Sequence, residues 1–199
     1  EGSASGAGMK LNTQSRVWLV RHGPTHAKGM VGWTDLPADL SDLAALTRLN
    51  AHLPDAPVIS SDLSRAITTA DALSPRLRLP HDPDWRELHF GDWEMRSYTE
   101  VEAETPDQIR AFWETPGTVS APNGESWDAV TTRIDRALAR LNHLPEVIVV
   151  AHFGAIIAAI QRAGGLTALE AFSHKIDNLS VTCLEFGPAP KVVSINHIP

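Results

Sequence analysis

Three blocks of this sequence carry residue types that hold oxyanions, and each directly follows a run suited to a strand. The apolar run 17–20 leads into Arg21-His22-Gly23-Pro24. Val58-Ile59 leads into Ser60-Ser61-Asp62, with Arg65 shortly beyond, and the run 146–151 leads into His152-Phe153-Gly154. Guanidinium forks and helix N-termini both favour phosphate. Singly, each block is a weak signal. Strand ends often carry polar residues and turn glycines, His152 alone fits a hydrogen-bonded strand-end histidine, and Arg65 alone fits a helix arginine paired with Asp62. Three such blocks, each after a strand, describe one anion-binding edge.

The elements needed to bring them together are legible in the pattern. Apolar residues Leu43, Leu46, Leu49 and Leu53 recur at helical spacing over 42–53, with Ser41 as N-cap and Pro54 as stop. A second helix is expected over 63–73, capped by Asp62 and ended by Pro75. Residues 77–79 read as a short strand. The stretch 84–124 is the least regular and is expected to hold two short helices. A long helix over 125–144 follows, with Trp127, Val130, Ile134, Leu138 and Leu141 on one face. The run 146–151 reads as a buried strand, 155–163 as an apolar helix closed by Gly164-Gly165, and 179–186 with 191–198 as a terminal hairpin. Alternation of this kind predicts an α/β fold, a three-layer α/β/α sandwich around a largely parallel central sheet. Such sheets bind ligands at the carboxyl ends of their strands, where all three blocks fall.

Composition narrows the classes. The chain has 199 residues, 43% hydrophobic and 21% charged, which suits one ordinary globular domain and excludes wholesale disorder. Residues 1–8, rich in Gly, Ser and Ala, read as an engineered scar or flexible tail, leaving 9–199 as a single domain. Net charge is −7, with 24 acidic against 17 basic residues, which argues against nucleic acid or an anionic membrane as partner. The single cysteine, Cys183, forms no internal bridge, which favours a reducing, cytoplasmic setting. Nine histidines raise the question of metal. His22 and His26 are separated by Gly23 and Pro24, which argue against one helix presenting both, and no Cys pair, His-Glu-x-x-His or phosphate-binding Walker loop is present. The expectation is therefore no metal and no cofactor.

Five blocks taken in order resemble the histidine phosphatase superfamily, which also contains the cofactor-dependent phosphoglycerate mutases. They are Arg21-His22-Gly23-Pro24-Thr25, Ser61-Asp62-Leu63-Ser64-Arg65-Ala66, Glu87-Leu88-His89-Phe90-Gly91-Asp92-Trp93-Glu94, Gly124-Glu125-Ser126 and Ala151-His152-Phe153-Gly154. The resemblance implies a phosphoglycerate mutase-like fold and His22 as a nucleophile that becomes a transient phosphohistidine. It implies Arg21, Arg65 and His152 around the phosphoryl oxygens, where they supply the charge that magnesium provides elsewhere. Glu87 would protonate the leaving oxygen and then take a proton from water. Glu94 and Asp92 share that segment and compete with it by spacing. Thr25 resembles the hydroxyl beside the phosphate, and Gly154 keeps the second glycine that commonly follows the last histidine.

Departures from the family pattern point at the substrate more than at the reaction. Lys28 replaces a common asparagine and adds a cation, and Phe153 replaces the first of two glycines. Trp33, in the loop after His22, is the tryptophan expected to touch substrate. Against a mutase, Glu87-Leu88-His89-Phe90-Gly91 departs from the Glu-Arg-x-Tyr-Gly common there, and the spacing to His152 is short. A phosphate-binding regulatory module without turnover is the other alternative, and retention of both histidines, both arginines and an acid argues against it. The phosphatase branch resembled includes α-ribazole phosphate phosphatases and broad-specificity phosphomonoesterases. The expected function is metal-independent hydrolysis of a small phosphomonoester.

Overall fold

The computed structural model describes residues 14–199, so the tail at 1–8 lies outside the described residues. Five strands form one sheet: β1 (Ser15–Arg21), β2 (Val58–Ser60), β3 (Glu146–Ala151), β4 (Val181–Phe186) and β5 (Lys191–His197), in the order β2-β3-β1-β4-β5. The pairs β2–β3 and β1–β3 are parallel, while β4 runs antiparallel to both β1 and β5. The sheet is thus mostly parallel, with β4 as the strand that runs the other way.

Period-two alternation along the central strands divides the core. Val17, Leu19, Val147, Val149 and Ala151 pack on one side against α5 (Trp127–Leu141) and α6 (Phe153–Gly164). Val20, Ile148 and Val150 pack on the other against Leu49 of α1 (Leu43–His52) and Ala66 and Ala70 of α2 (Ser64–Asp71). Helices therefore cover both faces, as the pattern predicts. Helix α6 is buried nearly all round, through Ala155, Ile156, Ile157, Ala158, Ala159 and Ile160. A helix of that kind sits in the core, which fixes its N-terminus at the sheet edge. It ends at Gly165 in the left-handed region, φ 60°, where glycine is favoured.

Several local expectations are corrected. Asp42, not Ser41, caps α1, its Oδ1 accepting the Ala45 N–H at 3.0 Å. Asp62 does not cap α2. The N-cap is Leu63 without a side-chain bond, because Asp62 is drawn into a bidentate pair with Arg86 at 2.6 Å. Residues 77–79 form an isolated bridge, Val58↔Arg78, and no strand. Helix α5 begins after Ser126, which accepts the Ala129 N–H, and ends short of 144. The irregular stretch holds α3 (Tyr98–Glu104) and α4 (Pro106–Glu114), preceded by two 3-10 turns. Helix α7 (Ala168–Phe172) was not expected. Its signal is the capping box Thr167-x-x-Glu170, in which each side chain bonds the other's backbone N–H. Among the described residues no helix is long and apolar enough to cross a membrane.

Candidate active site

Parallel register sets the two histidines side by side. Arg21 pairs with Ala151, so the next residue on each strand, His22 and His152, leaves the same edge, with ring centroids 5.0 Å apart. The His22 N–H bonds the Ala151 carbonyl at 3.2 Å. Because β4 runs the other way, the loop before it also reaches this edge. The Ile176 carbonyl accepts from Arg21 Nη1 at 2.6 Å, and the Asn178 amide donates to the His22 carbonyl at 2.9 Å. Thr69 of α2 accepts the Gly23 N–H at 3.0 Å and donates to the Arg65 carbonyl at 2.8 Å, tying the loop after β1 to that helix.

The His22 side chain is oriented by one bond. Its Nδ1 lies 2.6 Å from the Gly23 carbonyl, which only accepts, so Nδ1 carries the proton and Nε2 keeps its lone pair. Burial depresses the His22 pKa to about 3, opposed by that carbonyl and reinforced by Arg65 and Arg21. The ring is thus neutral at any ordinary pH. His152 is fully buried, with Nε2 2.6 Å from Ser61 Oγ, and burial, then His22 and Arg65, hold it well below the usual histidine range.

Arg65, 1% exposed, is pinned by the Thr34 and Gly32 carbonyls at 2.7 and 2.5 Å. Among the described residues three buried nitrogens of this site have no partner: Arg21 Nε, Arg65 Nε and His152 Nδ1. Buried polar groups are nearly always paired, so unpartnered nitrogens here, two of them on guanidinium groups, favour an anion as their partner.

Glu87 is buried, and its carboxylate accepts the Gly154 N–H at 2.9 and 3.1 Å and the Leu88 N–H at 2.8 Å. Burial raises its pKa, against the two amides and then Arg21 and Arg65. Its neighbours in sequence are employed elsewhere. Glu94 Oε1 accepts the Gly32 and Thr34 N–H groups, bracing the loop that holds Arg65, and Asp92 accepts from the Asn123 amide. Arg86 is not Glu87's partner, since it pairs with Asp62.

Arg21, His22, Arg65 and Glu87 meet at a cavity of about 110 Å³, lined also by Thr25, Ala27, Gly29 and Val31; His152 is not part of its lining. The loop contributes every second residue, which leaves Lys28 exposed and outside the lining. Trp33 is also outside it. Its indole N–H donates to the Glu87 carbonyl at 2.7 Å, and its ring stacks on His89 at 4.1 Å with the Arg86 guanidinium 4.8 Å away. Phe153 lies under Arg21, 5.7 Å from guanidinium carbon to ring centre. Gly154 is required by close approach, because a Cβ there would sit 2.3 Å from Glu87 Oε1. A larger cavity of about 430 Å³, lined by Pro24, His26, Asp39, Arg48 and Asn178 among others, contains neither His22 nor Glu87. Among the described residues no cluster of three or more His, Cys, Asp or Glu is placed to hold a metal.

Residues that sequence reasoning passed over hold this arrangement: Thr69, Asn178 and, above all, Arg133. Arg133 falls between Val130 and Ile134 on the buried stripe of α5, and a charge on an apolar stripe is the signal that singles it out.

A sheet edge that presents a neutral histidine, two guanidinium groups and a carboxyl around one small cavity defines an α/β enzyme that handles phosphate. The chain matches the family model of the histidine phosphatase superfamily (branch 1) over residues 17–197 and belongs to that family. It is 30% identical over 173 residues to the adenosylcobalamin/alpha-ribazole phosphatase of Escherichia coli (strain K12), covering 81% of this chain and 85% of that protein. The glucosyl-3-phosphoglycerate phosphatase of Mycolicibacterium vanbaalenii is 33% identical over 169 residues, covering 74% of this chain and 73% of that one. The alpha-ribazole phosphatase structure from Shigella flexneri superposes with a TM-score of 0.77 at 26% identity, covering 92% of this chain and 98% of its own. The protein is a phosphatase with the phosphoglycerate mutase-like fold.

Proposed function

We propose that this phosphatase is a metal-independent phosphomonoesterase working through a phosphohistidine on His22. The observation that carries the reading is the Nδ1 contact with the Gly23 carbonyl, which turns the free Nε2 lone pair of a neutral ring into a cavity shared with Arg21, Arg65 and Glu87. Nε2 attacks phosphorus, the bond from phosphorus to the ester oxygen breaks, and the Glu87 carboxyl gives its proton to that oxygen. Glu87, now a carboxylate, takes a proton from water as the water oxygen attacks phosphorus. The phosphorus–nitrogen bond breaks, and His22 is left neutral again. Arg21 and Arg65 balance the charge on the equatorial oxygens, and His152 supports them from behind His22. Burial raises the Glu87 pKa, which suits the acid role, and Glu87 lines the cavity while Glu94 and Asp92 do not.

The cavity of about 110 Å³ suits the phosphoryl group, with the organic part outside it. The substrate class we assign is a small-metabolite phosphomonoester, in keeping with the phosphorylated small molecules named for the relatives. The test is rapid quenching of turnover with radiolabelled substrate into alkaline denaturant, followed by peptide mapping. Label is expected on His22 in the wild type and is expected to vanish in His22→Ala. Label on another residue, or wild-type turnover by the alanine variant, overturns the mechanism.

A further inference from the structure

Glu87 sits in a stretch without regular secondary structure, so its main chain has no ladder to hold it. The carbonyls of such a stretch must still find donors when buried. Arg133 supplies them. Nη1 donates to the Asp84 and Arg86 carbonyls at 2.8 and 2.7 Å, and Nη2 donates to the Glu87 carbonyl at 2.8 Å. Its remaining two donors go to Glu125, from Nε to Oε2 and from Nη2 to Oε1, both at 2.9 Å. A guanidinium has five N–H donors, and all are used.

Glu125 does more than neutralise the charge. Its Oε1 also accepts the His89 N–H at 2.9 Å, and its own N–H donates to the His89 carbonyl at 2.8 Å. The pair therefore grips the chain at residues 84, 86 and 87 on one side and at 89 on the other. Neither side chain lines the catalytic cavity. Arg133 is 5% exposed and lies among the apolar residues of α5, where burying a cation is unfavourable unless every donor is engaged.

We infer that Arg133, braced by Glu125, is a positioning residue that holds the Glu87 carboxyl where it meets the leaving oxygen. The inference rests on the reading of Glu87 as the proton donor. A planar five-donor fork is needed for this task. Lysine keeps the charge opposite Glu125 but has three donors on one nitrogen and cannot span three carbonyls and a carboxylate. A proton donor displaced by about an ångström loses much of its effect on the rate while leaving phosphate binding alone.

The experiment compares Arg133→Lys, Glu125→Gln and Glu87→Gln on an alkyl phosphate and on p-nitrophenyl phosphate, whose leaving group departs without a proton. Folding is checked by thermal melting, and the phosphate pocket by inhibition with inorganic phosphate. With general acids contributing roughly 10²–10⁴-fold, Arg133→Lys is expected to lower kcat on the alkyl substrate by about 10- to 100-fold and on p-nitrophenyl phosphate by less than about threefold. Inhibition by phosphate is expected to stay within about twofold, and adding Arg133→Lys to Glu87→Gln should cost little further on the alkyl substrate. Should Arg133→Lys fail to fold, Glu125→Gln, which leaves the arginine and its carbonyl contacts in place, carries the same comparison at smaller amplitude. Equal losses on both substrates, tracking the folded fraction, overturn the inference. If Glu87→Gln itself shows no selectivity, the assignment of the acid fails along with it. A selective Glu87→Gln beside an unselective Arg133→Lys sinks the positioning role alone.

Discussion

The proposed nucleophile, His22, and the proposed acid, Glu87, are held in place by opposite means. His22 and Arg21 follow or end a central strand whose ladders to β3 and β4 hold the backbone from both sides, and a few side chains complete the fit. Glu87 stands between two 3-10 turns in a stretch with no ladder, and groups from distant parts of the chain hold it: the side chains of Arg133, Glu125 and Trp33 and the backbone N–H of Gly154. Where the backbone is regular, position comes with the fold. Where it is not, each carbonyl needs its own donor, and the site depends on residues that never touch substrate.

The largest effect expected from this division is on the sheet side. His22→Ala should lower kcat/KM by about 10⁴-fold or more for every leaving group alike, because no covalent intermediate then forms. Steady-state rates on alkyl and nitrophenyl phosphates check this, and a leaving-group-dependent loss would break the division. Gly154→Ala tests the other side. A methyl 2.3 Å from Glu87 Oε1 must push the carboxyl away, so an alkyl phosphate should lose about 10²-fold and p-nitrophenyl phosphate less than about tenfold.

A smaller effect falls on stability. The folded pKa of His22 is depressed to about 3 from 6.5, so as pH falls below 6.5 the unfolded chain takes up a proton that the folded chain refuses. Stability is therefore lost on acidification, by roughly 2 kcal/mol from this group between pH 7 and 5. Urea unfolding at both pH values should show a drop smaller by about that amount in His22→Asn than in the wild type, and equal drops would mean His22 is not buried neutral. The smallest effect is none. Prolonged EDTA treatment should leave turnover unchanged, since Arg21 and Arg65 supply the charge, and loss reversed by zinc or magnesium would contradict that.

The same contrast explains what was legible beforehand. The stretches 17–20 and 147–151 are continuous apolar runs, and the polar residues just past them, Arg21, His22 and His152, could be assigned to one edge by topology alone. Glu87 was separable from Glu94 and Asp92 only through family resemblance, because nothing local in 84–124 says which carboxyl turns inward. Lys28 faces out of the cavity because an extended loop exposes alternate side chains, and its phase cannot be read without the turn at His26, φ 60°. Asp62 looked like a cap by position, but a guanidinium 24 residues away outcompeted the local amides. Arg133 was visible as a charge on an apolar stripe, yet its partners are main-chain carbonyls, which leave no mark on composition.

The topology also sets when in the chain's synthesis this chemistry can exist. Strand β1 is the first to be made, but Arg16 on it faces Glu146 on one flank and Glu185, 169 positions away, on the other. Pairings over such separations form late, because the long intervening loop must first be closed. His22 therefore gains these supports only after β3 and the segment leading into β4 have been made. A chain stopped before Ile176 lacks the Ile176 and Asn178 contacts that seat Arg21 and His22, so such a product does not carry the fully seated site.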